Sequence, residues 1–351
     1  MATAISKPDT LAGRPLDPNA PFLEVENLSV EFRIEDGTVN AVNGLSYSLD
    51  RGETLAILGE SGSGKSVSAQ AVMGILDTPP GFVTGGSVKF RGVDLLEKNK
   101  NGTFDHVVPG VRGSRLSMVF QDALTALNPV FTVGWQLGEM LRKHRGASRR
   151  DAREGAIELM ERVNIPDARD RVNAYPHEFS GGMRQRAMIA MALSLNPEVL
   201  IADEPTTALD VTVQAQIMEL LADLQEDTGM GLILITHDLA VVAEVADRVV
   251  VMYAGEIMET GDITDVYHHP SHPYTLGLMD SIPRHDVHTD RLVPIRGAPP
   301  DLLNIPPGCP FHPRCPYARQ QCLEEDPQLV DVGRDGHASA CFFWEEVERD
   351  R

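Results

Sequence analysis

The chain has 351 residues, 42% of them apolar, with 51 acidic against 31 basic side chains and a formal net charge of −20. That length and composition predict one main globular domain with a real core plus an extension. So negative a chain repels a phosphate backbone, which argues against broad nucleic-acid binding but leaves room for local contacts with nucleotide phosphates.

Residues 1–21 carry Pro and Asp where a signal peptide would carry an apolar stretch. They read as a flexible tail. No apolar run reaches the about 20 residues needed to span a bilayer. The chain is expected to stay in the cytosol, where thiols are reduced. From about Phe22 to Gly261, short β-rich runs alternate with amphipathic helical runs. This predicts an α/β fold with a largely parallel sheet covered by helices.

The run TLAILG, Thr54 to Gly59, reads as a buried strand, followed by a Gly-rich loop and a helix through Leu76. The loop GESGSGKS, Gly59 to Ser66, fits G-x-x-x-x-G-K-[ST] between a strand and a helix. Gly59, Gly62 and Gly64, with the small Ser61 and Ser63 between them, let backbone N–H groups approach phosphates, and the helix start favours the anion. Lys65 would reach the β/γ-phosphates and the Ser66 hydroxyl would ligate Mg2+. Alone, the loop does not separate kinases, GTPases, helicases and transport ATPases.

Residues 122–179 are charged and mostly helical, and read as a helical subdomain inserted between strands. The run EVLIAD, Glu198 to Asp203, is a further buried strand that ends in two acids. Asp203 would hold Mg2+ through water, and Glu204 would polarise the attacking water as general base. Two acids closing a strand are common in isolation; after a phosphate loop they point to hydrolysis. Val213, Ile217, Leu220, Leu221 and Leu224 mark one face of the next helix. The strand GLILIT then ends at His237, placed to donate a hydrogen bond to the γ-phosphate. The run DRVVVMYAGEIMETG reads as a hairpin turning at Ala254-Gly255. The domain boundaries are set at 1–21 for the tail, 22–265 for the main domain and 266–351 for a loop-rich, Pro- and His-containing extension.

The run FSGGMRQRAMIAMAL, Phe179 to Leu193, resembles the ABC signature sequence, with Met183 where the commonest form has Gln. With the phosphate loop, Gln121 in MVFQD, Asp203 and Glu204, ALD (Ala208 to Asp210) and His237, the order is similar to an ABC ATPase throughout. The resemblance implies a P-loop NTPase core with an antiparallel β subdomain. It implies that Gln121 contacts Mg2+ and the lytic water and relays nucleotide state to a membrane partner, and that Asp210 couples two sites. Ser180, Gly181 and Gly182 would contact the γ-phosphate held by a second ABC ATPase subunit. Many relatives stack an aromatic on adenine shortly before the phosphate loop. Here Asp36 stands near that place and Phe32 a little earlier.

Three further segments resemble the ATPase subunits of oligopeptide and dipeptide importers: Phe120 to Leu137, His268 to Pro283 and Gly297 to Ala318. This implies two membrane-spanning permease subunits as partners, an extracytoplasmic solute-binding protein indirectly, no nucleic acid, and a peripheral position on the cytoplasmic face of the inner membrane. Ala123 to Trp135, with Leu124, Leu127, Val130 and Phe131, is expected to receive a cytoplasmic helix of the permease. A soluble ABC ATPase acting on DNA or ribosomes is the alternative. One phosphate loop, no long coiled coil and the negative charge weigh against it. His268, His269 and His272 read as structural. Cys309, Cys315, Cys322 and Cys341 lack the tight pair usual in zinc sites. Their looser spacing, the Pro after two of them and the family resemblance lead to the expectation of a structural [4Fe–4S] cluster, with zinc, disulfides or free thiols as alternatives. The energetic ground is that a Pro-rich unit with few apolar stretches needs a staple.

Overall fold

Short apolar runs without polar alternation become strands buried on both faces. The computed structural model, which describes residues 9–207, 209–281 and 295–350, arranges the chain in two units. One comprises Met1–Leu16, Asp50–Gly52 and Val108–Ile233; the other comprises Asp17–Leu49, Glu53–Val107 and Leu234–Arg351. Among the described residues no helix is long and apolar enough to cross a membrane.

In the first unit, strands Leu116–Val119 and Val199–Asp203 pair in parallel, Leu116 opposite Val199, with every residue buried. The same unit holds four long helices, each started by a short polar side chain. Thr132 caps Val133–Arg145 and Ser148 caps Arg149–Arg162. The first buries Val133, Leu137 and Leu141, the second Ala152, Ala156 and Met160, at the four-residue spacing of one helix face. Arg142, Lys143, His144 and Arg145 fill the last turn of the first, where cations offset the exposed carbonyl dipoles. In helix Val211–Thr228 the expected face is buried at Ile217, Leu220, Leu221 and Leu224.

Between Gln121 and the helix at Val133 lies the short helix Ala123–Ala126. Leu127 just after it is 1% exposed and belongs to the core, not to an interface as expected. Val130 is 70% exposed, and Phe131 and Trp135 stack in the open at 4.1 Å. The side chain of Leu124 lies outside the described residues.

In the second unit, Leu23–Ile34 runs antiparallel between Gly37–Leu49 and Gly81–Phe90. Strand Thr54–Leu58 pairs in parallel with Arg248–Tyr253, and the Asp247 carboxylate accepts the Thr54 N–H at 2.7 Å. The expected hairpin forms: Arg248–Tyr253 turns through Ala254 (φ 51°) and Gly255 (φ 87°) into Glu256–Asp262. The helix after the phosphate loop, Lys65–Met73, stops before the expected Leu76. Gly74 closes it in the left-handed region at φ 66°, where a Cβ would stand 2.5 Å from the His106 ring.

The extension builds onto this sheet. Strand His337–Ser339 adds antiparallel to Glu256–Asp262, and Val330–Arg334 adds to it in turn. Beneath lies a ring cluster: Tyr253 is 4.8 Å from Tyr274 and 5.2 Å from Phe311 between centroids. The Glu259 carboxylate, wholly buried, accepts the Ser271 N–H at 2.7 Å and the His272 N–H at 3.0 Å, and lies 2.8 Å from His337 Nε2. Burial pushes His272 down to about 3, so it is neutral at physiological pH, and its Nδ1 caps helix Pro273–Asp280 by accepting the Tyr274 N–H.

The expected [4Fe–4S] cluster at Cys309, Cys315, Cys322 and Cys341, and its zinc alternative, are overturned. Among the described residues no group of three or more His, Cys, Asp or Glu is arranged to hold a metal ion. The four thiols line a cavity of about 20 Å3 with Phe311, Phe342 and Phe343. Burial pushes Cys309, Cys315 and Cys341 up to about 12, which leaves them protonated and packed as small apolar groups. The extension does not rely on a staple for want of a core: it shares the sheet and the aromatic cluster. Cys315→Ala is accordingly expected to lower stability by only about 1 kcal/mol, read as a small shift in the urea midpoint. Collapse of the extension, seen as rapid proteolysis beyond residue 266, would contradict this packing role.

Candidate nucleotide site

The buried strand Thr54–Leu58 delivers the chain into the loop Gly59–Gly64. Gly59 and Gly64 adopt φ 157° and 100°. A Cβ at Gly59 would meet the Met252 carbonyl oxygen at 2.3 Å, and one at Gly64 the Ala41 carbonyl oxygen at 2.3 Å. Only glycine fits at either place, so the narrow cradle is written into the sequence. The hairpin turn clasps it: the Gly255 N–H donates to Ser63 O at 2.9 Å, and the Asn43 N–H to Gly255 O at 2.8 Å.

Ser61 and Gly62 form the exposed rim and Ser66 is half-buried. Lys65 is 5% exposed, and its ammonium donates to Gly59 O at 2.6 Å and Glu60 O at 3.0 Å. The Ser63 hydroxyl is buried without a hydrogen-bond partner among the described residues. A buried unpaired hydroxyl is costly unless a ligand meets it. No side chain caps helix Lys65–Met73 at Gly64. A positive side chain, a helix start, a backbone cradle and an orphaned hydroxyl together fit a phosphate chain. In the same unit, Phe32 sits half-buried opposite Val39 while Asp36 is exposed. His237 is exposed just past strand Gly231–Thr236, and Asp238 caps the helix that follows.

The first unit holds the acids. Asp203 closes its strand at 4% exposure. Glu204 follows at φ 44°, a left-handed conformation that costs a non-glycine residue about 1–3 kcal/mol and concentrates at functional sites. Its carboxylate accepts from Gln121 Nε2 at 2.9 Å and Thr207 Oγ1 at 2.8 Å. Thr207 was missed from sequence; its signal is the run EPTT, which puts a hydroxyl three residues past the acid.

Ser180 caps helix Gly181–Leu193 by accepting the Met183 N–H at 3.3 Å, and both Ser180 and Gly181 are exposed. At Gly182 a Cβ would stand 2.7 Å from Val213 Cγ1. Close packing against helix Val211–Thr228 therefore demands that glycine. Asp210 caps that second helix, accepting the Val213 N–H at 3.0 Å. Ala208 lies outside the described residues. The structure thus joins Gln121 to Glu204 and the signature segment to the helix of Asp210 within the first unit. Gly59–Ser66 and His237 belong to the second.

Two family models match: ABC transporter over residues 42–207, and the oligopeptide/dipeptide transporter C-terminal region over residues 258–322. The chain is 49% identical to the oligopeptide transport ATP-binding protein OppD of Escherichia coli, covering 92% of this chain and 93% of that protein. It is 50% identical to the dipeptide transport ATP-binding protein DppD of Bacillus subtilis, covering 92% and 95%. Among solved structures, a dimeric bacterial ABC transporter cassette superposes with a TM-score of 0.59 at 27% identity, over 69% of this chain and 98% of that one. A dimeric cassette in a post-hydrolysis state bound to ADP and Pi gives 0.58 at 26%, with the same coverage. The phosphate cradle and the held carboxylate of Glu204 thus sit in a chain that belongs to the ABC transporter family of ATP-binding proteins, in the group bearing the oligopeptide/dipeptide transporter C-terminal region.

Proposed function

We propose that this chain is the ATP-binding and hydrolysing subunit of an ABC importer for oligopeptides, dipeptides or a related small solute. The observation that carries the reading is the near-50% identity to oligopeptide and dipeptide transport ATP-binding proteins over 92% of the chain. In this reading Lys65, Ser63 and the N–H groups of Gly59–Gly64 take the phosphates. Ser66, Gln121 and Asp203 would hold Mg2+, which when bound offsets charge on the phosphate oxygens. Glu204, oriented by Gln121 and Thr207, takes a proton from the attacking water. His237 donates to the γ-phosphate.

Ser180, Gly181 and Gly182 offer an exposed helix start to the γ-phosphate of a second ABC ATPase subunit, and Asp210 couples the two sites. Two permease subunits complete the complex at the cytoplasmic face of the membrane, with a solute-binding protein acting from the other side. The open face of Val130, Phe131 and Trp135 supports a docking role there. The intact complex purified from membranes in detergent tests the reading. A second ATPase chain and two permease chains should co-elute, with ATPase activity stimulated by peptide-loaded binding protein. A chain that elutes without permeases and hydrolyses ATP indifferently to peptide would refute it.

A further inference from the structure

Glu60 is the second residue of the phosphate loop, an acid where an anion is to bind. Like charges repel, so an unneutralised carboxylate here would oppose phosphate. The fold turns Glu60 away from that role. Its N–H donates to Tyr274 Oη at 2.8 Å, and its carbonyl accepts from Lys65 Nζ. Its carboxylate meets Arg314 of the extension through both guanidinium nitrogens, Nη2 to Oε1 at 3.0 Å and Nη1 to Oε2.

Arg314 is itself fixed on every side. The residue is 9% exposed, its Nε donates to Arg296 O at 2.9 Å, and its guanidinium lies over Tyr253 and Phe311 at 5.7 and 6.0 Å. Hydrogen bonding to Glu60 raises its pKa above the ordinary guanidinium value. A bidentate pair of this kind fixes direction as well as charge. All these groups belong to the second unit.

We propose that Arg314 is a positioning residue for the phosphate loop: through the Glu60 carboxylate it holds the loop backbone and Lys65 in place and removes a repulsive charge from the path of the nucleotide phosphates. The C-terminal extension is then part of the nucleotide site without touching nucleotide. The inference rests on the reading of Gly59–Ser66 as the phosphate site.

Equilibrium titration of the full chain with MgADP tests it. Arg314→Gln should weaken binding about tenfold, within the roughly 5–150-fold usual for coupled sites. Adding Glu60→Gln to Arg314→Gln should restore most of the loss, because the stranded carboxylate is gone. A purely structural Arg314 predicts no such rescue, and absence of rescue overturns the proposal. Arg314→Lys keeps the charge but not the fork. It should weaken binding by a smaller factor, again relieved by Glu60→Gln, and this pair decides the matter if Arg314→Gln does not fold. Lys65→Ala separates the two levels. If it binds MgADP normally, the phosphate-loop reading fails. If it abolishes binding while the Arg314 variants bind as wild type, only the Arg314 proposal fails.

Discussion

Glu204→Gln should bind MgATP normally and hydrolyse it about 10²–10⁴ times more slowly in the assembled complex. The amide keeps a carbonyl oxygen for the bonds from Gln121 and Thr207 and is nearly isosteric, so the φ 44° turn and its neighbours stay in place. What it loses is the ability to take a proton from water. Single-turnover hydrolysis beside an ATP-binding titration separates the two effects. Hydrolysis at the wild-type rate would remove Glu204 from its proposed role, and lost binding would mean that the substitution disturbed more than the base.

The second large effect is one of stability. Glu259→Ala is expected to cost about 3–5 kcal/mol, the scale for leaving several buried hydrogen-bonding groups without their partner. It strands the N–H groups of Ser271 and His272 and leaves His337 Nε2 without its partner, all where water does not reach. Glu259→Gln keeps one acceptor oxygen and should cost less. Urea unfolding of the full chain measures both, and a cost below about 1 kcal/mol for Glu259→Ala would show that the hub is dispensable. Because Glu259 joins the core strand to the extension, limited proteolysis of the Ala variant should cut first beyond residue 266.

The parts of the site that were legible in the sequence are those written in contiguous residues. Gly59 to Ser66 carries its own geometry, since Gly59 and Gly64 are each demanded by a carbonyl oxygen close by. The strand ending at Asp203 and the hairpin at Ala254-Gly255 were likewise readable from local pattern. Gln121 and Glu204 are 83 residues apart, and only the family resemblance linked them. Glu60 and Arg314 are 254 apart, and nothing local marks either. The early stop of the phosphate-loop helix had a signal in Gly74, two residues short of the expected end at Leu76. Leu127 was grouped with Val130 and Phe131 as interfacial because all three are apolar residues of one segment; it lies just past the short helix Ala123–Ala126 and turns into the core, while the other two stay exposed.

The extension was the least legible part of the chain. Its strand His337–Ser339 is three residues long, too short for any alternation to show, and its core is borrowed from Tyr253 and Glu259 in the preceding domain.

That late strand also sets a timetable for synthesis. Glu256–Asp262 gains its outer partner, His337–Ser339, only after roughly eighty further residues have been made, several seconds at about 5–20 residues per second. Throughout that interval the nascent chain presents an unpaired strand edge, open to pairing with another chain. A ribosome paused between these two segments would hold the chain with that edge open, although every residue of the phosphate loop would already have been made.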